Sequence, residues 1–143
     1  MFYFDTSALL KKYVVESGSK EILALIARQP FISTCSVARA EAAAALARSV
    51  RMGSLADLAA QQAHKVFIRE WKSYVRVRVT EALIARADSL AWSHKLRGYD
   101  AIHLAAALEW QDRVSETITL ATYDKELWAA AAEAGLSRFP ASL

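Results

Sequence analysis

Four acidic residues lie where predicted strands give way to predicted helices. Asp5 follows the first apolar run of the chain, and Asp124 comes shortly after a later one. Glu41 lies in the opening turns of a predicted helix, and Asp100 follows a short turn that contains Gly98. Ligands of an open α/β sheet bind outside the carboxyl ends of its strands. All four carboxylates are therefore candidates for positions at one edge of the predicted sheet.

Carboxylates gathered in this way need compensating positive charge. At a separation of ~5 Å, each pair repels by about 3 kcal/mol at an effective dielectric constant of about 20. A site made only of carboxylate oxygens favours the hard ions Mg²⁺ and Mn²⁺ over Zn²⁺, which prefers nitrogen and sulfur ligands. In such a fold, that kind of site indicates phosphoryl or phosphodiester chemistry.

Each of these acids also has a plainer interpretation. Asp5, Asp100 and Asp124 precede helical patterns, where an aspartate can serve as an N-cap, and Glu41 can be a solvated helix charge. His103 lies three residues after Asp100, on the same predicted helical face. We expect its ring to hydrogen-bond to backbone and to pack the helix under the site rather than to bind a metal ion.

Short apolar runs alternate along the chain with longer Ala- and Leu-rich helical patterns. Strands are predicted at residues 2–4, 31–34, 74–79, 118–122 and 136–139. Helices are predicted at residues 7–16, 20–28, 37–51, 55–71, 81–96, 101–111 and 125–134, with N-caps at Ser36, Ser54 and Asp124. The alternation predicts an α/β fold with a mostly parallel sheet of about five strands flanked by helices. Arg76 and Arg78 alternate with valines, which favours an edge position for the third strand.

Length and composition place the chain in the globular class. Its 143 residues fit one domain, predicted to span residues 1–143, and 55% of them are hydrophobic against 23% charged. A single cysteine, Cys35, excludes an internal disulfide and any zinc site built from several cysteines. No secretory signal or membrane-spanning run is recognisable, so we expect a cytoplasmic protein without a membrane partner.

Three sequence segments and one isolated acid together resemble a known family. The segments are Phe4-Asp5-Thr6-Ser7-Ala8-Leu9, Gly98-Tyr99-Asp100-Ala101-Ile102-His103-Leu104-Ala105 and Thr122-Tyr123-Asp124-Lys125-Glu126-Leu127, with Glu41 between the first two. In this order and at these separations they resemble the PIN domain. More closely, they are similar to the VapC toxins of bacterial type II toxin–antitoxin systems. The resemblance covers essentially the whole chain.

The resemblance implies a metal-dependent endoribonuclease that is the toxin of a toxin–antitoxin pair. Asp5 and Asp100 match the family's main ligands for Mg²⁺ or Mn²⁺, and Glu41 and Asp124 match acids that act directly or through water. The family's hydroxyl positions, which orient a carboxylate or a metal-bound water, match Thr6, Ser7 and Thr122. A metal-activated water would then cleave RNA, with tRNA or rRNA the expected class, to leave a 5′-phosphate and a 3′-hydroxyl. The implied partners are a VapB-like antitoxin and a second copy of the chain in a homodimer.

Other functions fit the residues less well. A haloacid-dehalogenase-like phosphatase needs a second Asp two residues after the first, where this chain has Ser7. A receiver domain needs an Asp after the third strand, where the chain has Thr80 and Glu81. A PIN nuclease without a toxin role and a non-catalytic PIN module that binds RNA or a partner remain as alternatives. Lys95 and Arg97, which lead into Asp100, are candidates for phosphate contacts.

Overall fold

A parallel five-stranded sheet forms the centre of the molecule. The computed structural model describes residues 1–143, and the strands are β1 (Phe2–Phe4), β2 (Ser33–Cys35), β3 (Val75–Val77), β4 (Thr119–Ala121) and β5 (Ser137–Phe139). Their order across the sheet is β3-β2-β1-β4-β5, and all four pairings are parallel. The predicted fold class is confirmed. Arg76 on β3 is exposed, as expected for the edge strand that β3 is.

Seven helices complete the fold. They are α1 (Thr6–Leu10), α2 (Ser19–Ile26), α3 (Ala38–Arg51), α4 (Asp57–Glu70), α5 (Glu81–His94), α6 (Gly98–Val114) and α7 (Lys125–Glu133), with a 3₁₀ turn at Trp71–Ser73. None of them combines the length and the apolar character needed to cross a lipid bilayer.

The central strand β1 contributes to a separate core on each face of the sheet. Tyr3 packs in a core with Leu104 of α6 and Leu127 of α7, whereas its neighbour Phe4 packs with Leu9 of α1 and Phe67 of α4. This division follows from the two-residue period of a strand, which sends successive side chains to opposite faces. Tyr3 lies two residues before Asp5, the first acid of the candidate site. The same alternation therefore projects both side chains toward the same side of the sheet.

Several predicted boundaries are wrong for identifiable reasons. Helix α1 ends at Leu10 instead of continuing to residue 16. Beyond it the chain turns, and the Lys11 ammonium bonds to Glu16 Oε1 at 2.9 Å and to the Ser17 carbonyl at 2.7 Å. Tertiary contacts of Lys11, which include the face of the Tyr123 ring, therefore override the helical pattern. The other strands and helices lie close to their predicted positions, mostly with fewer residues.

The predicted caps are right in only one case out of three. Asp124 caps α7 by accepting hydrogen bonds from the backbone of Glu126 and Leu127. By contrast, the N-cap positions of α3 and α4 are Val37 and Ala56, which make no side-chain cap bond, so the predictions for Ser36 and Ser54 are wrong. The Ser54 hydroxyl instead donates to the Ser49 carbonyl, and the Ser36 amide donates to the Val77 carbonyl of β3.

Candidate active site

Asp5 lies at the carboxyl end of β1 and is also the N-cap of α1. It can therefore act both as a helix cap and as a residue of the candidate site. Its Oδ1 accepts the backbone N–H of Ala8 at 2.8 Å, its Oδ2 accepts the Thr122 hydroxyl at 2.8 Å, and the Ser7 hydroxyl donates to the same carboxylate at 2.8 Å. Only 4% of the residue is exposed. Burial raises the pKa of Asp5, although the nearby His103 and these hydrogen bonds act in the opposite direction.

Two hydroxyls join the end of β1 to the end of β4. Thr122 Oγ1, which donates to Asp5, also accepts the backbone N–H of Asp124 at 3.0 Å. Ser7 Oγ likewise accepts the backbone N–H of Tyr123 at 2.8 Å. Parallel pairing of β1 with β4 brings these segments together, although they are more than one hundred residues apart in sequence. The geometry gives both hydroxyls the carboxylate-orienting contacts that the resemblance implies.

Glu41 reaches the same region from α3 and is held by two donors. The Thr6 hydroxyl donates to Glu41 Oε2 at 2.7 Å, and His103 Nε2 lies 2.6 Å from the same oxygen. Burial on its own would raise the pKa of Glu41, but the contact with His103 and the hydrogen bond from Thr6 outweigh it, so that the pKa is lowered. Glu41 is therefore an oriented carboxylate rather than a freely solvated helix charge.

Asp100 and Asp124 form the outer part of the site and share a cation. Arg97 Nε donates to Asp100 Oδ2 at 2.8 Å, and Arg97 Nη2 donates to Asp124 Oδ2 at 2.6 Å. Asp100 lies in the first turn of α6, whose N-cap is Arg97, so the cap interpretation of Asp100 is wrong. Burial raises the pKa of Asp100; the Arg97 hydrogen bond opposes the rise, and the negative charge of Asp124 adds to it.

A cavity of about 580 Å³ opens beside these residues. Its lining consists of Glu41, Arg97, Gly98, Tyr99, Asp100 and Ile102. Two acids that are 59 positions apart in the chain thus face one space. At the same edge of the sheet, Arg97 joins Asp100 to Asp124, and Glu41 accepts a hydrogen bond from Thr6, the residue that follows Asp5.

The donor set suits a hard divalent cation, although the carboxylates are not gathered around one point. As they stand, no three His, Cys, Asp or Glu side chains form a group that could hold a metal ion. All four donors are nevertheless carboxylates, and Glu41 Oε1 and Asp100 Oδ1 carry none of the hydrogen bonds described above. The positive charge between Asp100 and Asp124 comes from Arg97. Carboxylate oxygens are the ligand type that Mg²⁺ and Mn²⁺ prefer, so the chemistry of the donors, rather than their present arrangement, suits such an ion.

The expectation that the His103 ring hydrogen-bonds to backbone is wrong, although the ring is buried under the site as expected. Its ring contacts side chains rather than backbone: Nδ1 lies 2.9 Å from the Tyr3 hydroxyl, and Nε2 approaches Glu41 and Thr6. Tyr3 itself was missed as a residue connected to the site. The signal was available, since Tyr3 and Asp5 are two positions apart along a strand and therefore project toward the same side.

Comparison with known proteins identifies the family of this chain. The profile of the PIN domain matches residues 2–133, which contain all four acids. The chain belongs to the PIN domain family. Among PIN proteins, it is 33% identical to ribonuclease VapC45 of Mycobacterium tuberculosis (strain CDC 1551 / Oshkosh) and to ribonuclease VapC49 of Mycobacterium tuberculosis (strain ATCC 25618 / H37Rv). Each alignment covers all 143 residues of this chain and 97% of the relative, which places the chain with the VapC proteins.

Two solved structures share this PIN fold. VapC20 of Mycobacterium tuberculosis, a sarcin–ricin loop cleaving toxin, superposes with a TM-score of 0.68 at 18% identity, over 95% of this chain and 96% of that one. FitAcB from Neisseria gonorrhoeae superposes with a TM-score of 0.65 at 16% identity, over 97% and 96% of the two chains. At these identities the likeness establishes the fold alone.

Proposed function

We propose that this PIN protein is the metal-dependent endoribonuclease toxin of a VapC-type toxin–antitoxin pair, acting in the cytoplasm, with residues 1–143 as one nuclease domain. The observation that carries the proposal is the convergence of Asp5, Glu41, Asp100 and Asp124 on one sheet edge beside an open cavity. Burying a carboxylate as deeply as Asp5 is costly unless charge compensates it. A divalent cation bound at this edge supplies that compensation.

The four carboxylates are the proposed ligands for Mg²⁺ or Mn²⁺. Asp5 and Asp100 act as the main ligands, and Glu41 and Asp124 complete the site directly or through water. When bound, such an ion lowers the pKa of a water molecule and neutralises charge that develops on phosphate oxygens. The reaction is hydrolysis of a phosphodiester bond, and it leaves a 5′-phosphate and a 3′-hydroxyl.

The remaining site residues orient these acids. Ser7 and Thr122 donate to Asp5 and thereby fix the plane of its carboxylate, while Thr6 performs the same task for Glu41. Two of these hydroxyls are themselves held by neighbours, since Ser7 and Thr122 accept backbone N–H groups of residues 123 and 124. Rigidly held carboxylates reduce the reorganisation that metal binding and the reaction require.

We propose a folded RNA, such as a tRNA or an rRNA, as the substrate. The sarcin–ricin loop cleaving activity of VapC20, which has the same fold, supports this class. A formal net charge of +3 suits a polyanion held by its backbone. The proposed protein partners are a VapB-like antitoxin, which the VapC names of the relatives support, and a second copy of the chain.

The proposal is tested by RNA cleavage with the purified protein in Mg²⁺, in Mn²⁺ and in EDTA, with tRNA and rRNA as separate substrates. Asp5→Asn and Asp100→Asn are expected to lower the rate by more than about 100-fold, which exceeds the usual cost of disturbing a hydrogen-bond partner of a metal ligand. Asp88→Asn is the matched control, because Asp88 is exposed on α5 and forms no ion pair. Cleavage that survives EDTA, or that persists in both site variants, would contradict the proposal.

A further inference from the structure

Tyr3 and His103 form a buried hydrogen bond directly behind the candidate site. Tyr3 is fully buried on β1, and His103 on α6 is only 2% exposed. The Tyr3 hydroxyl lies 2.9 Å from His103 Nδ1, and this is the only hydrogen bond that the hydroxyl makes. A phenylalanine would fill a purely apolar position as well, so the hydroxyl calls for a reason beyond packing.

The hydrogen bonds assign the tautomer of His103. The neutral Tyr3 hydroxyl has one hydrogen to donate. With no other acceptor in reach, that hydrogen is donated to Nδ1, because an unpaired buried donor would cost about 1–3 kcal/mol. The ring hydrogen then lies on Nε2, which faces Glu41 Oε2 at 2.6 Å. The opposite tautomer would direct a ring lone pair at a carboxylate oxygen.

Two donors thereby converge on a single oxygen of Glu41. His103 Nε2 and the Thr6 hydroxyl both donate to Oε2, and Thr6 Oγ1 also lies 3.2 Å from Nε2, which closes a triangle of contacts. The second oxygen, Oε1, accepts neither bond, and Glu41 lines the cavity. The carboxylate is therefore fixed in rotation, with one oxygen held and the other free.

We propose that Tyr3 and His103 are positioning residues, which lock the Glu41 carboxylate so that Oε1 is presented as the ligand oxygen for the divalent cation. This inference rests on the proposed function. Tyr3 acts through His103 by fixing which ring nitrogen carries the hydrogen, and His103 acts on Glu41 directly. Partners of this kind orient metal-ligating groups, and their removal typically weakens metal affinity or activity by about 10- to 100-fold.

Three variants separate this role from packing. Tyr3→Phe removes only the hydroxyl. His103→Gln brings an amide nitrogen near the place of Nε2, whereas the shorter His103→Asn reaches only the place of Nδ1 and leaves Glu41 without its donor. Tyr74→Phe is the matched control, since Tyr74 is buried, its hydroxyl is also hydrogen-bonded, and it lies immediately before the edge strand β3, away from the site.

The first measurement is Mn²⁺ affinity by calorimetry, beside the RNA cleavage rate. We expect Tyr3→Phe to weaken Mn²⁺ binding by about tenfold and His103→Asn by at least as much, in line with losses seen for partners of metal ligands. We expect His103→Gln to restore affinity toward the wild-type value and Tyr74→Phe to leave it unchanged, with all variants still folded in circular dichroism.

The second measurement is the ¹⁵N NMR signature of the His103 ring. The wild-type ring is expected to carry its hydrogen on Nε2, with an unprotonated Nδ1, and Tyr3→Phe is expected to shift this pattern. If the wild-type protein binds Mn²⁺ and cleaves RNA while Tyr3→Phe and His103→Asn behave as the wild type, the positioning role is overturned and the proposed function stands. If the wild-type protein neither binds Mn²⁺ nor cleaves RNA, both are overturned.

Discussion

Arg97 and Asp124 are 27 residues apart in the sequence, yet Nη2 of the arginine lies 2.6 Å from Oδ2 of the aspartate. The same guanidinium donates to Asp100, so one cation joins two of the four acids at the mouth of the site. The Arg97 side chain is 71% exposed, which leaves it free to move away at small cost. The positive charge of Arg97 therefore lies beside the two carboxylates that are proposed to bind the divalent ion.

Replacement of Arg97 by Gln is expected to tighten Mn²⁺ binding, because the ion no longer competes with a guanidinium for Asp100 and Asp124. Exposed ion pairs contribute about 0.2–1 kcal/mol each, so removal of the two pairs corresponds to a gain of roughly two- to thirtyfold in affinity. Calorimetric titration with Mn²⁺ measures the effect. Weaker binding in Arg97→Gln would show instead that the guanidinium supports the metal-binding arrangement.

The control for this variant is Arg51→Gln. Arg51 is exposed at the last position of α3 and forms no ion pair. It lies ten residues beyond Glu41, about 15 Å along the helix axis. That distance exceeds the ~8 Å Debye length at physiological ionic strength, so removal of this charge should leave the affinity unchanged.

Asp124 has two separable roles, as the N-cap of α7 and as a site carboxylate. Asp124→Asn keeps a side-chain oxygen that can accept the N–H groups of Glu126 and Leu127, whereas Asp124→Ala does not. Thermal unfolding in EDTA should therefore show a loss of about 1 kcal/mol for Asp124→Ala relative to Asp124→Asn. Both variants should lose RNA cleavage alike. Equal stability of the two would mean that the cap contributes nothing.

Glu70, distant from the site, gives the fold a defined pH dependence. Its carboxylate pairs with Lys12 and accepts the hydroxyls of Tyr13 at 2.7 Å and Tyr74 at 3.3 Å. Burial would raise the pKa of Glu70, but these contacts outweigh it and lower the pKa below the ordinary 4.5. Because the folded-state pKa is the lower one, the stabilisation is complete above pH 4.5, declines as the pH falls below that value, and is lost once the pH has fallen through the folded-state pKa.

Glu70→Gln should therefore lower the melting temperature at pH 7 by about 3–6 °C. This figure takes the usual contribution of hydrogen bonds to a charged group and reduces it because Glu70 is partly exposed to solvent. The difference from wild type should shrink as the pH falls below about 4.5. Melting curves between pH 3 and pH 8 test this, with Glu116→Gln as the control, since Glu116 is exposed and unpaired. A difference that does not depend on pH would assign the effect to packing alone.

Gly18 combines a left-handed backbone with a close ring neighbour. Its φ is +86°, and a Cβ at this position would lie 2.4 Å from the Tyr123 hydroxyl oxygen. Gly53 has a similar φ of +72° but nothing within 4 Å of the corresponding Cβ. Gly18→Ala should therefore destabilise the protein by more than the roughly 1 kcal/mol of backbone strain that Gly53→Ala should cost.

The additional destabilisation caused by Gly18→Ala should disappear when the Tyr123 ring is absent. In a Tyr123→Ala background, Gly18→Ala and Gly53→Ala are expected to cost the same free energy of unfolding, so a double-mutant cycle isolates the contact with the ring. Urea denaturation measures the four stabilities. An excess that survives in the Tyr123→Ala background would rule out the ring as its cause.

Much of this protein could be predicted from the sequence because the relevant signals are local. The alternation of short apolar runs with helical patterns predicts the parallel α/β fold, and the Arg-Val alternation around Arg76 predicts an edge strand, which β3 is. The four acids were identified because the ends of strands and the starts of helices can be recognised from the sequence alone. Their convergence at one sheet edge follows from parallel strand order.

Other features depend on partners that are distant in the chain, and only the tertiary structure decided them. The end of α1 at Leu10 is accompanied by the contact of Lys11 with the Tyr123 ring, 112 residues away. The hydrogen-bond partner of His103 Nδ1 is Tyr3, one hundred residues away. The negative charges of Asp100 and Asp124 are compensated because the Arg97 side chain lies between the two carboxylates. A sequence determines which donors and acceptors exist, but their pairing is settled only when packing brings distant segments within hydrogen-bond range, where a buried group without a partner is too costly to keep.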